Sequence, residues 1–151
     1  MKQDLVIMGA IGGASGAVAQ IIYGSLGKML HLTDRTFNDF AKILIMGRNF
    51  SGPLAFIAGI VSHLSFNAMF GVLFAFLIWK VNANYYYLKG LGMGMILWIF
   101  LGVTGTAMHL PKFTVIPPNA ALFTYGGALL WGLVTAFVYR LLNSTSEKKE
   151  F

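Results

Sequence analysis

Residues 49–79 read NFSGPLAFIAGIVSHLSFNAMFGVLFAFLIW, a stretch without Asp, Glu, Lys or Arg. It is longer than the roughly 20 apolar residues that a helix needs to cross about 30 Å of hydrocarbon. Its polarity does not alternate over about ten residues, as that of a membrane barrel strand would. Because lipid offers the backbone no hydrogen bonds, helices and closed barrels are the structures that span it. The stretch therefore predicts a transmembrane helix. Its central part, residues 59–71, holds four polar side chains, Ser62, His63, Ser65 and Asn67.

Three further runs lack Asp, Glu, Lys and Arg: 5–27, 90–111 and 113–139. The predicted fold is an all-α membrane protein with four transmembrane helices near 5–27, 55–79, 89–110 and 119–141. The whole of 1–142 reads as one polytopic domain, followed by a polar tail, 143–151. Composition agrees. The 151 residues are 57% hydrophobic and 11% charged, against about 25% charged in soluble domains, and the mean hydropathy is +0.71. The absence of cysteine removes disulfides and thiolate metal sites.

The first run also resembles a secretory leader, with Lys2, an apolar stretch and Ala17-Val18-Ala19 as an A-x-A site. Asp4 offsets Lys2 and the apolar run continues to Gly27, so a retained helix is expected. Between the first two spans, Phe37, Phe40, Ala41 and Leu44 fall at i, i+3, i+4 and i+7. Asp34, Arg35, Asn38, Asp39 and Lys42 take the other side. This predicts an amphipathic helix over about 33–46, capped by Thr33 or Asp34, lying in the membrane interface or folded onto the bundle end. No internal repeat is expected; "GMILW" and "GALLW" are too short to carry one.

The formal charge of +6 sits in the segments flanking the spans and points to lipid headgroups rather than nucleic acid. Lys2, Lys80, Lys89, Arg140, Lys148 and Lys149 fall on one side, and Lys28, Arg35, Lys42, Arg48 and Lys112 on the other. Six against five gives the positive-inside rule little asymmetry. Both termini are placed in the cytoplasm because the polar tail then need not cross.

The glycine pairs Gly9/Gly13, Gly12/Gly16 and Gly90/Gly94 are G-x-x-x-G spacings, which bring helix backbones close. No Asp or Glu lies within a span, which argues against proton-coupled pumps and paired-carboxylate hydrolases. Neither G-x-S-x-G nor H-E-x-x-H occurs. His63 and Asn67, at i and i+4, share a helix face. From the first-loop side His63 lies at about 13 Å and Gln20 at about 12 Å, at 1.5 Å per residue. Gln20, His63, Asn67, Thr104 and His109 are the candidate polar layer. It is either hydrogen-bonding glue between helices or a site. A haem held by His63 and His109 would need the two level, whereas helix rise separates them by about 4–5 Å. No catalytic residue, metal ligand or cofactor is expected.

Residues 60–142 carry "VSHLSF" with "FG", "YYLKGLGMG", "MHLP", "IPP", and "FTYGG" running to "YRLL". In these motifs the segment resembles YagU-type small bacterial inner-membrane proteins, and departs from them at Gly127, where that pattern has a His. The resemblance implies a multi-pass protein of a bacterial inner membrane and supplies no mechanism. The expected function is a non-enzymatic membrane protein that self-associates, or joins another membrane protein, through its glycine-rich faces. The alternative is a small oligomeric channel or facilitator for a neutral solute, with the His63/Asn67 face toward its path. A haem- or lipid-modifying enzyme is the third class.

Overall fold

The structure, a computed structural model, describes residues 2–82 and 84–147. Among the described residues there are five helices and no strand: α1 Lys2–Met29, α2 Phe37–Met46, α3 Pro53–Val81, α4 Tyr86–Ala107 and α5 Pro118–Glu147. All but α2 are long and apolar enough to cross a membrane. Residues 143–147, expected in the polar tail, continue α5, and 148–151 lie outside the described residues.

The long helices stand in the order α3, α1, α5, α4. The central helix α1 packs on α3 and α5, and α5 packs on α4. Although consecutive in sequence, α3 and α4 barely touch. They are joined by a short turn in which Lys89 Nζ donates to the Asn82 carbonyl at 2.8 Å. Phe70 on α3 meets Phe100 on α4 with ring centroids 6.4 Å apart. Large apolar side chains cover the outer faces, among them Ile7, Ile22, Leu54, Ile57, Ile96 and Leu122, all more than half exposed, as suits contact with acyl chains.

Glycine sets the helix spacing. A Cβ at Gly9 would lie 2.7 Å from the Gly71 carbonyl oxygen, and one at Gly13 would run into the Asn67 carbonyl. Those two residues therefore seat α1 on α3. On the other face of α1, a Cβ at Gly12 would meet the Thr135 carbonyl at 3.1 Å, and one at Gly16 would meet the Trp131 ring at 2.6 Å. Gly90 and Gly94 press on the Gly132 and Ala128 carbonyls of α5. All six expected packing glycines thus face helices of their own chain. Ala17, the first residue of the A-x-A triplet, is fully buried in mid-α1.

Two turns are built alike. Gly27-Lys28-Met29-Leu30-His31-Leu32 ends α1, and Gly105-Thr106-Ala107-Met108-His109-Leu110 ends α4. In each, the Leu N–H bonds back to the Gly carbonyl at 2.9 Å, the six-to-one closure of a Schellman cap. The intervening His takes the left-handed conformation, φ 56° at His31 and 52° at His109. This G-x-x-x-H-L repeat was not expected. It also shows why α4 stops at Ala107 rather than at 110.

The start of α2 differs from expectation as well. Its cap is Thr36, not Thr33 or Asp34. The Asp39 N–H donates to Thr36 Oγ1, and the Thr36 N–H donates to Asp39 Oδ2 at 3.0 Å, forming a capping box. The helix ends at Gly47, φ 68°, whose N–H donates to Ile43. Residues 33–35 are held elsewhere. Buried Arg35 donates from Nη1 to the Lys112 carbonyl at 2.6 Å and the Val115 carbonyl at 3.2 Å. Its Nε and Nη2 donate to the two Asp34 oxygens at 2.7 and 2.8 Å. The first and third connections are thereby tied at one end of the bundle, as four crossings require. The Arg35 hydrogen bond holds the Asp34 carboxyl below its ordinary pKa.

α2 packs on α3 at the end of the bundle. Its polar side turns toward α3, where Asn38 and Asp39 are buried and a Cβ at Gly59 would strike Asn38 Oδ1. Burial acts to raise the pKa of Asp39, but the hydrogen bonds from Lys42 and the Thr36 backbone, with the charges of Lys112 and Lys42, outweigh it and lower the value. On the apolar side, Phe40 and Leu44 join the cluster of Ile43, Leu110 and Phe113.

Candidate functional site

Where α3 and α4 stand apart, a cavity of about 340 Å³ opens between them, beneath α2. It lies within the size range of small-molecule sites. Its mouth is apolar: Ile45, Ile99 and Val103 line it and are each more than half exposed. Phe37, Phe40, Phe66 and Phe113 supply aromatic wall, and no Asp, Glu, Lys or Arg lines it.

The floor is polar. Gln20 from α1, with His63 and Asn67 from α3, line the cavity and are 5%, 6% and 6% exposed. Asn67 Nδ2 donates to the His63 carbonyl at 2.8 Å and lies 3.2 Å from the ring Nδ1. A carbonyl only accepts, so the atom facing it is the amide nitrogen. With the same amide NH₂ facing Nδ1, the tautomer that satisfies both contacts is the one with the ring proton on Nε2. Gln20 Nε2 donates to the Gly127 carbonyl at 3.1 Å, which fixes Gln20 Oε1 as the free end of that amide.

Most neighbouring polar groups are satisfied. Trp131 Nε1 donates to Gly13 at 3.1 Å, and Trp98 Nε1 to Thr124 Oγ1 at 3.1 Å. Thr124 Oγ1 donates to Ala120, Thr106 Oγ1 to Phe113 and Ser62 Oγ to Ala58. Two cavity-lining atoms are left over: His63 Nε2 and Gln20 Oε1 are buried with no hydrogen-bond partner. The Ala17 backbone also bears on the His63 ring as a weak hydrogen-bonding neighbour, but it falls short of a hydrogen bond to Nε2. An unmet polar group away from water costs about 1–3 kcal/mol.

Of the five residues expected in the layer, Gln20, His63 and Asn67 share this floor. Thr104 is half-buried on α4 without lining the cavity, and His109 is exposed in the α4 cap. His63 and His109 therefore do not face a common space. Among the described residues, no group of three His, Cys, Asp or Glu side chains could hold a metal ion. Trp98, Trp131, Thr106 and Thr124 belong to the cavity and were not foreseen. The one sequence signal for the tryptophans was their matching place in GMILW and GALLW.

Gly127 is where the aromatic wall closes on the polar floor. Its carbonyl receives Gln20, and a Cβ there would overlap the Phe37 ring. A histidine at this position, as in the YagU-type pattern, would displace Phe37 from the wall. Residues 3–150 match the family of unknown function DUF6789. The chain belongs to that family. No curated protein and no solved structure matches it. None of the comparisons names a YagU-type relative, so that resemblance rests on short motifs alone.

Proposed function

We propose that this DUF6789 protein is a non-enzymatic binding protein of the membrane, taking a small amphipathic molecule from the bilayer into the cleft between α3 and α4. One observation carries the reading. Two unpartnered buried polar atoms, His63 Nε2 and Gln20 Oε1, sit on the floor of an uncharged cavity whose mouth is apolar. A polar head at the floor would meet them, while an apolar tail would leave past Ile99 and Val103 toward lipid. Glue alone would leave both atoms unmet.

The solute-path reading has less support. On the side of Asn67 toward the α3–α4 turn, Phe74, Ala75, Ile78 and Tyr139 are buried in one cluster, which supports a blind pocket over a pore within one chain. Self-association through the glycine faces has less support too, because α3 and α5 occupy them. A homo-oligomer or a partner membrane protein would use the exposed apolar faces instead. With the binding role we propose a bacterial inner membrane, on the strength of the YagU-type resemblance; membrane fractionation of the source cells tests that location.

For the binding role, the protein is purified in mild detergent, extracted with organic solvent, and its lipid quantified per chain. About one molecule per chain is expected, falling severalfold in His63→Leu. Equal lipid in both proteins, proportional only to residual membrane, would reject the reading.

A further inference from the structure

The donor and acceptor left over at the cavity floor narrow the class of ligand, on the reading that the cavity binds a bilayer amphiphile. His63 presents an N–H, because Asn67 occupies Nδ1. Gln20 presents a carbonyl oxygen, because its NH₂ is turned to Gly127. The site therefore offers one donor and one acceptor, and no charged side chain lines it. An ester carbonyl or ether oxygen accepts only, and would leave Gln20 Oε1 unmet. A phosphate diester accepts only and brings a charge with no cation to meet it. A hydroxyl both accepts and donates, so of these groups it is the one complementary to both atoms.

We infer that the floor recognises a neutral lipid through a free hydroxyl group, which accepts from His63 Nε2–H and donates to Gln20 Oε1. Acylglycerols and long-chain alcohols are the chemistries that fit. The aromatic and aliphatic walls take the first part of the chain, and the remainder lies in the bilayer beyond Ile99. Asn67 is the positioning residue, since it holds the tautomer that points the proton outward.

The test uses the protein's own fluorescence. Of its three tryptophans, Trp98 and Trp131 line the cavity, and Trp79 is exposed. Full-length Trp79→Phe protein in phosphatidylcholine vesicles is titrated with lipids brominated in the chain: a diacylglycerol, a fatty alcohol, the corresponding methyl ester and a phosphatidic acid. The diacylglycerol and the alcohol are expected to quench saturably, at mole fractions about three- to tenfold below the ester and the phosphatidic acid, the range of one to two hydrogen bonds. Gln20→Leu and His63→Leu should each bring the four lipids within about twofold of one another. The wild-type headgroup series stands even if a variant fails to fold. Equal, saturable quenching by all four lipids would overturn hydroxyl recognition and leave the cavity a lipid site. Quenching no stronger than that by brominated phosphatidylcholine would overturn the binding reading itself, with water alone meeting the two atoms.

Discussion

Asn67 grips His63 twice, at the carbonyl (2.8 Å) and at ring Nδ1 (3.2 Å), and so turns the ring's proton to Nε2, which has no partner. The i, i+4 spacing along α3 makes this possible. Asn67→Leu keeps the branched side-chain skeleton and removes both bonds. It should cost about 0.5–1.5 kcal/mol, the usual net worth of an intramolecular hydrogen bond, and free the ring to change tautomer. Thermal unfolding in detergent reads the first effect; the second appears as lost headgroup preference.

The α1–α3 seam makes a sharper prediction. A Cβ at Gly13 would run into the Asn67 backbone carbonyl, which belongs to α3 itself and cannot swing aside, whereas one at Gly92 would meet nothing within 4 Å. Gly13→Ala should destabilise by about 1–3 kcal/mol through overpacking. Gly92→Ala should be neutral or stabilise by up to about 1 kcal/mol through helix propensity. Unfolding midpoints of the two variants should move apart; similar midpoints would contradict the seam.

At the two helix caps, the left-handed backbone costs His31 and His109 about 1–2 kcal/mol each relative to ordinary geometry. Glycine avoids that penalty but loses more chain entropy on folding. His31→Gly and His109→Gly should therefore hold or raise stability, by up to about 1 kcal/mol each, and leave lipid retention unchanged. A loss of bound lipid in His109→Gly would return His109 to the site.

Acid should loosen α2. The Asp39 pKa is lowered in the folded protein from its ordinary 3.8, despite burial, chiefly by the Lys42 and Thr36 hydrogen bonds. A lowered folded value means that the stabilisation is complete above the unfolded pKa and is lost as pH falls through the folded one. Asp39→Asn should thus cost about 1 kcal/mol at neutral pH. The gap to wild type should stay constant down to about pH 5 and close below about pH 4. Unfolding midpoints across that range check it.

How much of this was legible in the sequence follows from what each signal measures. Charge-free runs longer than a bilayer give the spans directly. Depth along a helix axis is also readable, and it brought Gln20 and His63 to one level. Rotation about the axis is not readable, so Thr104 was grouped with residues whose cavity it does not line. His109 was hidden for another reason: its backbone closes a cap, and only the recurrence of G-x-x-x-H-L at residues 27–32 signalled that. The start of α2 depended on Arg35 reaching Lys112 and Val115, far along the chain. Trp98 and Trp131 were missed because tryptophan in a membrane protein usually marks the headgroup boundary.

The most direct measurement is native mass spectrometry of the wild type beside Gly102→Phe, both released from mild detergent. Gly102 lines the cavity, and a Cβ there meets nothing within 4 Å, so a phenyl ring can enter the space without disturbing a helix seam. The wild type should carry one added mass per chain, matching a neutral bilayer lipid. Gly102→Phe should fold at least as well and fly bare. A bare wild type, or the same added mass on both proteins, would contradict a lipid site between α3 and α4.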